Sequence, residues 1–201
     1  MNNQKLFKAV VTDLDGTLID SNHIKKNAFI SAVNQINPKA KDQAKKIILK
    51  NKNISRYEFS KILFHEMRKK NIFFYKKKFL NKFNHICSHK VLKTKHIYGS
   101  LSLLRWLNKI KIPVFISTST PEFSIKKIIS KLGWSSYFKE IYGSPNSKNY
   151  HINVIHKNYK ISKDKILFIG DGLIDLQTAK KNNCKFIGVG KEIKFEIDKY
   201  N

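Results

Sequence analysis

The stretch Ala9-Val-Val-Thr12-Asp13-Leu-Asp15-Gly16-Thr17-Leu-Ile-Asp20-Ser21 runs from an apolar strand signal straight into two carboxylates and a glycine. In an extended segment, residues i and i+2 share a face, so Asp13 and Asp15 can look into one small site. Gly16 lets the backbone turn away and come close to a ligand. Two acids held together at a strand's end are costly without a cation, a shared proton or donors to offset them. An Asx-type turn after a strand would use the same residue types. The rest of the chain decides between the two.

Further segments repeat the pattern in order. Pro113-Val-Phe-Ile-Ser117 reads as a buried strand followed by Thr118, Ser119 and Thr120. Gly143-Ser-Pro-Asn-Ser-Lys148 places a lysine in a loop after the strand-like Glu140-Ile-Tyr142. Lys165-Ile-Leu-Phe-Ile169 is another strand, leading into Gly170-Asp171-Gly172-Leu-Ile-Asp175. Successive strand ends thus offer acids, hydroxyls, a lysine and two more acids. In a parallel α/β sheet those ends converge on the crevice where ligands bind. Lys148 also fits a solvated loop lysine, and Asp171 with Asp175 also suits a helix N-terminus.

This ordered set resembles the haloacid dehalogenase superfamily of phosphotransferases. Asp13 to Thr17 matches its DxDGT motif, and Thr118 fits the hydroxyl motif. Lys148 fits the lysine motif, and Asp171 with Asp175 fits GDxxxD. Ser117 and Ser119 flank Thr118, but Thr118-Ser-Thr-Pro121 matches the family's Ser-Gly-Thr-Pro form best. The resemblance implies that Asp13 is the nucleophile that becomes an aspartyl phosphate. It makes Asp15 the acid and then the base. It implies Mg²⁺ held by the Asp13 side chain, the Asp15 carbonyl and Asp171, with Asp175 helping through water or by orienting its neighbours. Thr118, with Ser119 and Gly16 beside it, and Lys148 would bind phosphate oxygens.

Composition sets outer bounds. A chain of 201 residues can bury one good core with room for a modest second unit. Lys+Arg number 40 against Asp+Glu 14, a formal net charge of +26 that suggests nucleic acid. Only Arg56, Arg68 and Arg105 are arginine, however, and the lysines are scattered over every segment. Recognition favours arginine forks and clustered stripes, so the expectation is weak, salt-sensitive adhesion to polyanions and no specific nucleic-acid partner. Cys87 and Cys184 lie far apart without metal spacing, which points to reduced thiols in a cytoplasmic protein. No signal-peptide or membrane-spanning run is visible.

A parallel crossover needs only about a dozen residues including its helix. The far longer gap between Asp13 and Thr118 therefore holds an insertion. Within residues 19–97 the apolar spacing is helical: Phe29, Ala32, Val33 and Ile36, then Ala44, Ile47 and Ile48, then Phe59, Ile62 and Leu63, then Phe79, Leu80, Phe83 and Ile86. The expected fold is a five-stranded parallel, doubly wound (Rossmann-like) α/β sheet formed by residues 1–18 and 98–201, with an all-helical cap over 19–97. The strands fall near 7–12, 113–117, 140–142, 166–169 and 185–189. Ser100 is expected to cap a helix that carries Leu103, Trp106, Leu107 and Ile110.

The cap resembles that of phosphoglycolate-phosphatase-like members of the superfamily. Asn53-Ile-Ser-Arg56-Tyr57 resembles their Gly-x-Ser-Arg cap segment, with Asn53 replacing the glycine. Arg56 could bind a second anionic group on the substrate, or simply make surface contacts near a helix start. The expectation is a Mg²⁺-dependent phosphatase for a small phosphorylated metabolite, acting as a monomer or homodimer. The alternatives are a phosphomutase of the β-phosphoglucomutase type and a non-catalytic module that binds nucleic acid or protein.

Overall fold

The computed structural model describes residues 6–51, 54–67, 70–190 and 193; Asn53 and most of the 191–201 tail lie outside them. The chain divides into two compact units, Ser21–Lys93 and the pairing of Met1–Asp20 with Thr94–Asn201. The first holds helices α1 (Asn22–Ile36), α2 (Lys41–Lys50), α3 (Arg56–Glu66) and α4 (Ile72–Lys90). The second holds α5 (Ser100–Lys109), α6 (Glu122–Lys131), α7 (Lys148–Tyr159) and α8 (Leu173–Lys181) around the strands. No helix among the described residues is long and apolar enough to cross a membrane.

Strands β1 (Ala9–Thr12), β2 (Val114–Pro121), β3 (Glu140–Ser144), β4 (Ile166–Gly170) and β5 (Lys185–Gly188) form one sheet in the order β3-β2-β1-β4-β5. Every pairing is parallel. The central strands β1 and β4 are buried along their whole length, as a sheet covered on both faces requires. One face packs Ala9, Val11, Phe115 and Phe168 against Ile152 and Ile155 of α7 and Ala179 of α8. Because β4 joins beside β1, on the side away from β2 and β3, the strand order reverses at β1. That reversal opens a crevice at the carboxyl end of β1, where Asp13 begins.

Two local expectations change. β2 does not stop at Ser117 but continues through the hydroxyl residues to Pro121, with a register shift against β3 between Ser117 and Pro121. The shift lets the strand bend while it carries Thr118 and Thr120 to the crevice. In α5 the buried stripe runs through Ser100, Leu104 and Leu107, and Trp106 is 51% exposed. Ser100 is the first helical residue, and Gly99, with φ +83°, takes the capping position.

The helical unit follows its predicted stripes. Ser55 accepts a hydrogen bond from the Glu58 amide and Asn71 one from the Phe74 amide, which caps α3 and α4. Phe29, Phe59, Phe79 and Phe83 meet at its centre, with Phe29 4.6 Å from both Phe59 and Phe83 between ring centroids.

Candidate active site

The side chains of Asp13, Asp171 and Asp175 each bring a carboxylate oxygen to within 4.8 Å of the others. Three elements achieve this. Asp13 follows β1 and stays in the ladder, its amide donating to the Ile169 carbonyl at 2.9 Å. It shares parity with Ala9 and Val11, so it faces the side covered by α7 and α8. Asp171 follows β4. Asp175 sits in the first turn of α8 and accepts a hydrogen bond from the Gly172 amide at 3.1 Å, a capping role it fills in addition. Gly170 is required beside it, because a Cβ there would collide with the Asp175 carboxylate.

Lys148 is not a loop residue: it opens α7 and is only 8% exposed. Ser147 caps that helix by accepting from the Tyr150 amide at 3.2 Å. The Lys148 Nζ lies 2.5 Å from Asp175 Oδ1 and 3.0 Å from Asp13 Oδ1. Burial works against its ammonium, yet Asp13 and Asp175 outweigh that and raise its pKa above the ordinary lysine value. A solvated loop lysine is excluded.

Asp15 also lies in the crevice and is buried. Its Oδ2 accepts a hydrogen bond from Thr120 Oγ1 at 3.0 Å. The turn that places it depends on Gly16 at φ +84°, whose amide donates to the Ile19 carbonyl at 2.8 Å. Thr118 is buried, and its hydroxyl accepts from the Thr120 amide at 3.2 Å. Ser119 is exposed, and Ser117 is engaged elsewhere, at 2.8 Å from His151 Nδ1. Thr17 Oγ1 donates to Asp171 Oδ1 at 3.4 Å.

Arg56 belongs to the helical unit. It is buried, its guanidinium lies 4.7 Å above the Phe83 ring, and it donates to Asn84 Oδ1. The surface-contact alternative does not describe it; it is part of that unit's packing.

Sequence reasoning gave no separate role to Thr120 and Thr17, both inside its motifs, and missed His151. Thr120 had a signal, since it lies two residues from Thr118 in an extended segment. His151 had none until α7 was docked against β2.

Four carboxylates against one buried ammonium is an unbalanced set. Burial first, then the neighbouring Asp175, Asp15 and Asp171, push Asp13 up to about 7, with Lys148 pulling the other way. Asp13 Oδ1 is buried and takes no aligned hydrogen bond among the described residues, although Lys148 is near. An all-oxygen donor set with such an atom fits a hard divalent cation. The Asp13, Asp171 and Asp175 carboxylates, within 4.8 Å of one another, could together hold such an ion.

A parallel sheet that gathers acids, hydroxyls and a lysine at its carboxyl edge defines a Rossmann-like α/β protein with a ligand site at its switch point. The chain belongs to the haloacid dehalogenase-like hydrolase family, whose profile matches residues 10–189. Among solved structures it is similar to a predicted phosphoglycolate phosphatase from Haemophilus somnus, at 20% identity, with 92% of this chain and 86% of that one covered and a TM-score of 0.75. A predicted phosphatase from Clostridium acetobutylicum matches at 23% identity, covering 91% and 84%, with a TM-score of 0.71. A protein from Thermotoga maritima provisionally named β-phosphoglucomutase matches at 19%, covering 90% and 85%, with a TM-score of 0.67. Among proteins of curated function the sequence finds no significant match.

Proposed function

We propose that this protein is a Mg²⁺-dependent phosphatase that hydrolyses a small phosphomonoester through an aspartyl phosphate on Asp13. The observation that supports it most is the juxtaposition of buried Asp13 with Lys148 at 3.0 Å and with the Asp171 and Asp175 carboxylates. Asp13 attacks phosphorus while Asp15 protonates the departing oxygen; Asp15 then takes a proton from the water that cleaves the acyl phosphate. Thr120, bonded to Asp15, orients that carboxyl. Thr118 and Lys148 hold phosphate oxygens, and Lys148 also offsets charge on Asp13 and on the group in transfer. Asp13, Asp171 and the Asp15 carbonyl would hold Mg²⁺, with Asp175 in support. The ion supplies charge neutralisation that allows the anionic substrate to approach the acids.

The names of the similar structures agree with phosphomonoester chemistry, and the helical unit is taken to be the cap that selects the leaving group. Cys87 and Cys184 fall in different units, which accords with reduced thiols and a cytoplasmic location. The complete acid set weighs against a pure binding module, which has no use for it. The phosphomutase alternative shares the first half-reaction and differs in the acceptor of the phosphoryl group.

The test is phosphate release from p-nitrophenyl phosphate with Mg²⁺ or with EDTA, comparing wild type with Asp13→Asn. Activity that needs both Mg²⁺ and Asp13 is expected, followed by a phosphomonoester panel to find the substrate. Hexose-phosphate isomerisation without phosphate release would favour the mutase. Inactivity of the wild type across the panel, with tight duplex binding at physiological salt, would replace the enzyme by a binder.

A further inference from the structure

His151 lies one helical turn after Lys148 on α7 and is 1% exposed. Its Nδ1 is 2.8 Å from the Oγ of Ser117, which is itself fully buried and immediately precedes Thr118. The imidazole stacks on Tyr142 at 5.4 Å and 23°, and Tyr142 is the β3 register partner of Ser117. On this sheet face α7 otherwise presents Ile152 and Ile155 to an apolar core. An aliphatic residue at 151 would continue that packing. A buried imidazole instead carries a desolvation cost wherever a polar atom goes unbonded. His151 Nε2 is such an atom among the described residues. A local rule broken inside a core, beside a site, marks a functional constraint.

The geometry supplies the constraint. Lys148 and Thr118, the two groups assigned to phosphate oxygens, sit on different elements, α7 and β2. Their separation must stay fixed for both to hold the transferring group, and the Ser117–His151 bond ties those elements together one residue from Thr118 and three from Lys148. A misplacement of 1 Å in such a pair can cost about a hundredfold in rate.

We infer that His151 is a positioning residue: by its bond to Ser117 it clamps α7 to β2 and thereby fixes Lys148 relative to Thr118. This rests on the phosphatase reading above. Burial holds the imidazole down to about 4, with the Gly143 backbone opposing and Lys148 adding to the depression, so the clamp is a neutral bond at physiological pH. No proton leaves the pair during turnover.

The test measures kcat and KM for p-nitrophenyl phosphate with Mg²⁺ in His151→Leu, His151→Asn and Ser117→Ala, each also in a Lys148→Ala background, with thermal melts on all. Leu keeps the volume and removes the bond; Asn keeps a polar atom near the Nδ1 position and guards against a variant that merely fails to fold. The expected result is a roughly ten- to hundredfold loss of kcat in His151→Leu and Ser117→Ala with KM changed far less. Substantial recovery is expected in His151→Asn, and in the Lys148→Ala background His151→Leu should cost less than about twofold. Losses that multiply unchanged in that background, or a His151→Leu enzyme with wild-type kcat, would overturn the clamp and leave the phosphatase reading standing. A wild type inactive on every phosphoester would sink that reading and this role with it.

Discussion

The helical unit and the sheet unit bury side chains for opposite reasons. In Ser21–Lys93 the interior is a phenylalanine cluster: Phe59 and Phe79 are fully buried and 5.3 Å apart, and Phe64 lies 6.2 Å from Phe79. In the sheet unit the apolar core ends abruptly at the strand tips, and Asp13, Asp15, Thr118, Thr120, Lys148, His151 and Asp175 are all buried there. Aromatic packing stabilises without asking for partners. Buried carboxylates destabilise unless paired, so their presence needs a use. The contrast teaches that the sheet unit gives up stability at one edge to hold charge where chemistry needs it, while the helical unit is built for cohesion.

The sharpest way to break that contrast is Asp13→Asn. Losing the nucleophile should lower phosphate release by roughly a thousandfold or more. Stability should move the other way. The Asp13 pKa is raised in the fold, so its charge is unfavourable there without a divalent ion, and the neutral amide removes that penalty. A melt in EDTA is expected a few degrees above wild type by scanning fluorimetry. A variant that is both inactive and clearly destabilised would show that the Lys148 pair holds the fold together rather than serving the site.

The second prediction addresses the helical unit. Phe79→Ala should cost about 3–5 kcal/mol through the cavity it leaves among the other rings. Amide exchange should accelerate across α1, α3 and α4 and remain slow in β1 and β4. Equal acceleration in both would mean that the two units unfold as one.

How much of this was legible beforehand follows the same division. Strand cores and acids could be read because an apolar run that ends in Asp and Gly suits a strand entering a turn and little else; Asp13, Asp171 and Asp175 needed only the parallel order to be brought together. The helical stripes were legible because Phe29, Phe59 and Phe79 each open an apolar run at helical spacing, as Phe29, Ala32 and Val33 or Phe79 and Phe83 show. What depended on docking was not. Trp106 fits a helical stripe as well as Leu104 does, and only the position of α5 on the sheet decides which is covered. Lys148 looked like a loop residue because Ser147, its cap, becomes recognisable only once the helix is placed. Thr120 joined Asp15 through a register shift in β2 that no local pattern announces.

A third prediction concerns acid. His151 is buried neutral, with a folded pKa near 4 against about 6.5 for the exposed ring. The unfolded chain therefore takes up the proton first as pH falls, so this contribution is present above pH 6.5 and lost on the way down to 4. The expected size is on the order of 2 kcal/mol. Asp13, raised to about 7, gives the opposite slope in an overlapping window, so the measurement belongs in the Asp13→Asn background. Lys148, Glu122, Tyr142 and Tyr150 are the titratable groups around the ring, and Lys148 and Tyr142, both raised, keep their charge state in this range. Urea midpoints between pH 7 and 4 should fall less in His151→Asn, and parallel curves would rule the ring out as the cause.

The smallest effect tests whether the helical unit is cohesion alone. Arg56 is the residue that could make it otherwise: its guanidinium lies over Phe83 and donates to Asn84, yet its segment resembles one that binds a second anion. Arg56→Lys keeps the charge but loses the planar fork and the stacking, which should cost about 1 kcal/mol of stability. If Arg56 only packs, kcat and KM for every phosphoester should stay within about twofold of wild type. If it also binds substrate, KM should rise roughly tenfold for phosphoesters with a second anionic group, such as phosphoglycolate, and stay unchanged for p-nitrophenyl phosphate, because only the former carry a carboxylate for the fork to grip. The first outcome is expected, because the guanidinium is buried over Phe83 and bonded to Asn84 inside the helical unit.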